Sequence, residues 1–197
     1  VVMVEFSATE CPFCKRFHGT MKSMVEKLGK DGTLAWVYRN FPIKELHSKA
    51  PKQAEALLCA GKLGGQTAFW DYTDRLYAVT PSNNGLDMAE LPAIAKQVGL
   101  SVTAFNTCLN SGEMTAQVEA ERADGLKSGG TGTPFNVFVA NKAFKKENVE
   151  KFLVDSALKY GFPLELATIS NDNMRVALSG AMPIELLEGL VSAMIAE

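Results

Sequence analysis

The sequence predicts an α/β fold that opens β-α-β, is interrupted by a long helical stretch, and closes with strands and a helix. Three observations carry this. The first 40 residues hold two apolar runs, Val1–Phe6 and Leu34–Tyr38, with a helical-period segment between them. From Ser48 to Ser128 the apolar residues recur only at helical spacing. Beyond Gly132 short apolar runs return, at Phe135–Val139, Leu164–Ile169 and Met174–Leu178, with helical patterns before and after the last pair.

The first run, VVMVEF, reads as a strand buried on both faces. After it, Phe17, Met21, Met24, Val25 and Leu28 define an amphipathic helix. Cys11-Pro12-Phe13-Cys14 lies where the strand hands over to the first helical turn. Residues three apart share a helical face, so the two sulfurs can approach each other. Pro12 suits a first turn, where a missing N–H costs nothing. Unpaired N–H groups and the positive end of the helix dipole point at Cys11, so its thiol pKa is expected below the usual value of about 8.5. Cys14 lies further into the helix and is expected to be the shielded thiol, with Cys11 the exposed one. An attacking and a resolving thiol are what disulfide exchange requires. A half zinc site and a pair of inert buried cysteines are the competing readings. Zinc usually needs a second CxxC or an HxxxH, and neither occurs here.

Glu5 interrupts the first strand. A carboxylate buried there is costly to keep charged, so its pKa is expected to rise. It either accepts a proton from Cys14 or reaches the rim and simply hydrogen-bonds. The run LAWVY is the second strand, parallel to the first through a right-handed crossover. Helices are then expected over Ser48–Lys62, Gln66–Val79, Leu86–Val98, a short one opened by Ser101, and Glu113–Lys127. Gly64-Gly65, the stretch Thr80–Gly85, Gly99 and Ser111-Gly112 punctuate them. Thr133-Pro134 enters the third strand. Proline cannot donate to a ladder, so it belongs at a strand start; either a cis bond or a plain trans proline ending the glycine-rich loop fits. Helices over Asn148–Tyr160 and after Pro183 flank the last two strands.

The 197 residues suit one domain with an insertion, or two domains, and 47% hydrophobic with 21% charged residues is ordinary for a globular chain. At a net charge of -2, with no basic stripe, nothing argues for a nucleic-acid partner. No run of about 18 apolar residues is present, so no membrane helix is expected. The chain opens in mid-strand, so upstream residues are expected to have been cleaved or left out. Four cysteines allow two disulfides and fit an oxidising compartment.

Five segments carry a resemblance: VEFSATECPFCKRFH (4–18), YRNFP (38–42), FNTCLNSG (105–112), GTP (132–134) and LSGAMP (178–183). Together the chain resembles the thioredoxin fold with a helical insertion, as in the DsbA-like thiol–disulfide oxidoreductases. The resemblance implies a thioredoxin-like part at 1–47 and 129–197 and an inserted helical subdomain at 48–128. The order is β-α-β, helical insertion, β-β-α. An added helix over Ala143–Phe162 departs from the simpler family pattern.

By resemblance, Cys11 is the nucleophile and Cys14 the resolving thiol, with Glu5 the family's buried acid, six positions before the first cysteine. Thr133-Pro134 is the cis-proline loop that helps hold an extended substrate, and Pro12-Phe13 helps set the redox poise. His18 lies beyond the motif and reads as a rim residue. Cys59 and Cys108 each lie on an apolar helical stretch, and some DsbA-like sequences carry a cysteine pair in these segments. A structural disulfide is the expectation, two separate buried thiols the alternative. The implied activity is an extracytoplasmic oxidase that inserts disulfides into exported, cysteine-containing proteins and is reoxidised by a membrane redox partner. A reductase or isomerase, and a non-catalytic peptide-binding module, are the alternatives. No cofactor or metal is implied beyond the Cys11–Cys14 redox pair.

Overall fold

The computed structural model describes residues 1–196. The elements are β1 (Val2–Ser7), α1 (Pro12–Leu28), β2 (Ala35–Asn40), α2 (Ala50–Val79), α3 (Glu90–Gln97), α4 (Val102–Ser111), α5 (Thr115–Lys127), β3 (Phe135–Val139), α6 (Lys146–Tyr160), β4 (Ala167–Ile169), β5 (Arg175–Ser179) and α7 (Ile184–Ile195). The chain divides into two compact units. One holds Val1–Phe6, Arg16–Arg39 and the residues from Ser128 onward; the other holds Ser7–Lys15 and Asn40–Lys127.

The first unit is built on a five-stranded sheet in the order β2-β1-β3-β5-β4. The Ala35 amide donates to the Val1 carbonyl, and at the far end of the strands the Phe41 amide donates to that of Ser7. These bonds climb both strands in the same sense, so β1 and β2 run parallel, as a β-α-β start requires. β3 runs antiparallel to both β1 and β5. The register aligns Met3, Phe138 and Val176 in one row and, two rows along on the same face, Glu5, Asn136 and Leu178. The first row joins Phe17, Met21 and Met24 of α1 and Leu186, Leu187, Leu190 and Val191 of α7 in the core. These α1 residues are the apolar helical set of the sequence, buried against the sheet. α6 packs on α7. There Gly189 is required by close approach, since a Cβ on it would lie 2.5 Å from the Phe152 ring.

The second unit is helical. Tyr72 of α2 stacks on Phe105 of α4 at 5.4 Å between ring centres, and its hydroxyl donates to the Leu91 carbonyl at 3.0 Å. Burial raises the Tyr72 phenol pKa well above its usual value. Cys59 of α2 and Cys108 of α4 are joined by a disulfide, with 5.9 Å between their Cα atoms. The Glu121 carboxylate of α5 accepts from both the backbone and side-chain nitrogens of Asn40, each at 2.8 Å.

The two helices expected at 48–62 and 66–79 are both present within Ala50–Val79, and they break at Gly65, whose φ of 71° and ψ of -164° are non-helical. Two elements differ from the sequence reading. The helix expected from Leu86 starts only at Glu90, because Asp87 caps the preceding turn by accepting from the Ala89 amide at 3.0 Å. The strand expected from Leu164 begins at Ala167. Leu164–Leu166 is instead a 3₁₀ turn, closed by the Leu166 amide on the Pro163 carbonyl.

Candidate functional site

In the second unit the chain turns sharply between β1 and α1. The Cys11 amide donates to the Ala8 carbonyl at 3.0 Å, and the Cys11 carbonyl accepts the first helical bond, from the Lys15 amide at 3.0 Å. Cys11 is thus the N-cap of α1 and Pro12 its first residue. Cys14 is fully buried and Cys11 is only 5% exposed. The sequence reading of Cys11 as the exposed thiol is thus corrected: both cysteines are buried at the turn into α1. What stands out to solvent is Phe13, at 55% exposure, beside an exposed Pro12.

The residue before the motif was not singled out from sequence. Glu10 is completely buried. One of its carboxylate oxygens accepts from Gln53 Nε2 and the other from the Asn84 amide at 2.6 Å. Its backbone carbonyl accepts from the Asn83 amide at 2.9 Å. Thr9 Oγ1 donates to Gln53 Oε1 at 2.6 Å. Just past the motif, the Lys15 ammonium donates to the Thr80 carbonyl at 2.5 Å. The 80–84 loop thus grips the residues on both sides of CPFC. It does so through three successive left-handed residues, Ser82 (φ 64°), Asn83 (φ 52°) and Asn84 (φ 64°). Asparagine tolerates that region better than most residues, so the Asn-Asn-Gly run was the sequence signal.

In the first unit Glu5 is also completely buried, and its Oε2 accepts from Trp36 Nε1 at 3.0 Å. Burial removes the reading of Glu5 as a rim residue. Its cross-strand neighbour Asn136 is equally buried and donates through Nδ2 to the Gly180 carbonyl at 3.1 Å. His18 is a correction. It is 5% exposed and packs against the Trp36 ring at 5.4 Å between centres, because residues 14, 17, 18 and 21 share the inward face of α1. Trp36, read only as part of a strand, is the group that joins Glu5 and His18.

The Thr133–Pro134 peptide bond is cis. Pro134 is buried and Thr133 half-buried, and the Pro134 carbonyl accepts from the Gly180 amide at 2.8 Å. Pro134 precedes β3, so the ladder loses no donor from its missing N–H.

Comparison with known proteins agrees with this architecture. A family model described as Thioredoxin matches residues 1–155, and the chain belongs to the thioredoxin family. Within it, the fold is that of the DsbA-like thiol–disulfide oxidoreductases. The crystal structure of Pseudomonas aeruginosa DsbA2 superposes with a TM-score of 0.66 at 22% identity, covering 97% of this chain and 86% of that one. The thiol-disulfide exchange protein α-DsbA2 of Wolbachia pipientis superposes with a TM-score of 0.64 at 20% identity, covering 98% and 80%. The Na(+)/H(+) antiporter NhaA 1 of Mycolicibacterium gilvum is 28% identical over 139 residues, 68% of this chain and 21% of the antiporter. The chain thus spans about one fifth of the length of the curated relatives it matches.

Proposed function

We propose that the chain is a thiol–disulfide oxidoreductase that oxidises cysteine pairs in exported proteins through Cys11 and Cys14. The observation that carries this is the placement of CPFC. Cys11 caps a helix N-terminus, Cys14 is sealed behind it, and an exposed Phe13 lies between them. A thiolate at Cys11 is favoured by the helix dipole and the unpaired N–H groups of the first turn.

The reaction balances as follows. A substrate thiolate attacks Cys11 Sγ of the Cys11–Cys14 disulfide, and the Cys14 sulfur leaves with the electron pair. A second substrate thiolate then attacks the substrate sulfur of the mixed disulfide, and Cys11 leaves as thiolate. The substrate gains a disulfide, and the enzyme keeps two electrons until a membrane redox partner removes them. Glu5 takes the role of proton carrier for Cys14; its complete burial in β1 and its bond to Trp36 support this. Phe13 and Pro12 offer an apolar surface to an unfolded chain, and Thr133 and Pro134 take the family's role of holding it extended. The Cys59–Cys108 disulfide supports an extracytoplasmic location, since such bonds persist in oxidising compartments.

The test is adduct trapping. Cys11→Ser is expected to abolish oxidation of a reduced, unfolded model substrate. Cys14→Ser, offered a disulfide-bonded substrate, should accumulate a mixed disulfide at Cys11: the Cys11 thiolate attacks the substrate disulfide, one substrate sulfur leaves as thiolate, and no Cys14 is present to release the adduct, which is read by mass spectrometry. No adduct on Cys14→Ser, under conditions where the wild-type chain is active, would show the roles to be wrong. The direction is tested by substrate turnover: net oxidation of a reduced substrate supports the oxidase, whereas activity confined to scrambled substrate supports an isomerase.

A further inference from the structure

We infer that Glu10 and Lys15 are a pair of opposed charges, locked by the 80–84 loop on either side of CPFC, that set the reduction potential of the Cys11–Cys14 couple. This rests on the redox role proposed above for the two cysteines.

Glu10 adjoins Cys11 in the chain, and Lys15 adjoins Cys14 and lies one helical turn beyond Cys11. Neither side chain is left to wander. Glu10 is fully buried and holds bonds from Gln53 Nε2 and the Asn84 amide, while Lys15 holds the Thr80 carbonyl at 2.5 Å. Two of these three partners belong to one short loop, and the third is the α2 residue Gln53, itself fully buried. Gln53 is fixed in turn, because its Oε1 accepts from Thr9 at 2.6 Å. The loop's own shape is internally tied, with the Ser82 amide on Thr80 Oγ1 at 3.0 Å. Its far side is anchored as well, since Asn84 Oδ1 accepts from the Lys49 amide at 3.1 Å. A surface Glu and Lys flanking a motif would average out in solvent. A charge held in one place and away from bulk water is screened less than a mobile surface charge.

The electrostatic consequence has a definite sign. The equilibrium is the Cys11–Cys14 disulfide plus two glutathione thiols giving the dithiol plus glutathione disulfide. The protein's two sulfurs take up two electrons, and two glutathione sulfurs lose them. Wherever Cys11 is ionised in the reduced form, a nearby negative charge disfavours that form and lowers the potential. A nearby positive charge favours it and raises the potential. Glu10 therefore restrains the oxidising power that the helix terminus confers, and Lys15 adds to it. Both are positioning residues: neither needs to touch the substrate.

The experiment is redox equilibration of the full chain with glutathione buffers, at a pH where Cys11 is ionised, for wild type, Glu10→Gln and Lys15→Met. Glu10→Gln keeps the shape and the hydrogen-bonding capacity. It is expected to shift the equilibrium roughly three- to tenfold toward the dithiol. Lys15→Met keeps the apolar stem and is expected to shift it toward the disulfide by a smaller factor. A tenfold change corresponds to about 30 mV for this two-electron couple. Opposite shifts support the inference, because a loosened loop would move both variants in the same direction. Shifts of one sign, or wild-type equilibria in both variants, overturn it. If Glu10→Gln fails to fold, Lys15→Met is compared with Lys15→Arg, which keeps the charge: a shift toward the disulfide in Lys15→Met with a wild-type equilibrium in Lys15→Arg supports the inference, and any other pair of results overturns it. A wild-type couple that titrates normally while the variants do not differ from it leaves the proposed function standing and removes only this inference. A wild-type chain with no titrating pair removes both.

Discussion

At the scale of single residues, several polar groups are buried at high cost. Glu5, Glu10, Gln53 and Asn136 are all fully buried. Each has at least one hydrogen bond, which is the condition for tolerating such burial. Tyr72 shows the same principle away from the cysteines and gives a prediction. Its phenol pKa is raised by desolvation, so the folded chain keeps it neutral where the unfolded chain ionises it. The stability this contributes is fully present below the unfolded value of about 10 and is lost as pH rises past it. Tyr72→Phe should therefore lose about 1 kcal/mol near neutral pH, from the missing bond to the Leu91 carbonyl. It should also show a shallower loss of stability than wild type above about pH 10. Urea titrations of both proteins across the alkaline range check this; parallel curves would count against it. Burial of this kind is poorly legible in a sequence. Cys11, Cys14 and Glu5 were singled out because a CxxC and a carboxylate in an apolar run break a pattern. Glu10 was not, and His18 was read as a rim residue, because their burial is decided by partners far away in the chain, Gln53 and Asn84 for one and Trp36 for the other.

At the scale of elements, local pattern was enough where one face of a helix or strand meets a core. The run Phe135–Val139 is a strand over its expected range, and Ser101 caps α4 by accepting from the Ala104 amide. It failed where a cap or turn competes with periodicity, as at Asp87 before α3 and Pro163 before β4. The α6–α7 contact shows how an element pair constrains a residue that sequence leaves open. Alanine at position 189 gains up to about 1 kcal/mol of helix propensity. The added methyl meets Phe152 Cε2 at 2.5 Å and Cζ at 2.7 Å, so the ring must move, and overpacking costs about 1–3 kcal/mol. Gly189→Ala is expected to be destabilising on balance. In a Phe152→Leu background the same change should become neutral or stabilising, because the ring's far edge is gone. Denaturant unfolding of the four proteins of this cycle measures the coupling, and additive effects would refute the assignment of cost to this contact.

At the scale of the whole molecule, two devices hold the chain: a sheet whose rows bury Met3, Phe138 and Val176, and a disulfide between two helices of the other unit. The Cys59–Cys108 bond spans 49 residues of sequence and is inaccessible, with Cys59 fully buried and Cys108 4% exposed. Leu57 of α2 and Phe105 of α4 are likewise fully buried. Closing a loop of that length in the unfolded chain is worth up to about 4 kcal/mol, and measured values commonly fall to about 2. The double variant Cys59→Ala/Cys108→Ala should lose that much stability while Cys11 and Cys14 still exchange with substrate, because neither alanine touches the active-site turn. The same geometry separates the two cysteine pairs chemically. In the native protein, mild dithiothreitol should expose two reactive thiols, at Cys11 and Cys14, and the second pair should appear only after denaturation. Alkylation followed by peptide mapping makes the count. Four thiols released together under native conditions, or a double variant as stable as wild type, would show that the second disulfide does not brace the helical unit.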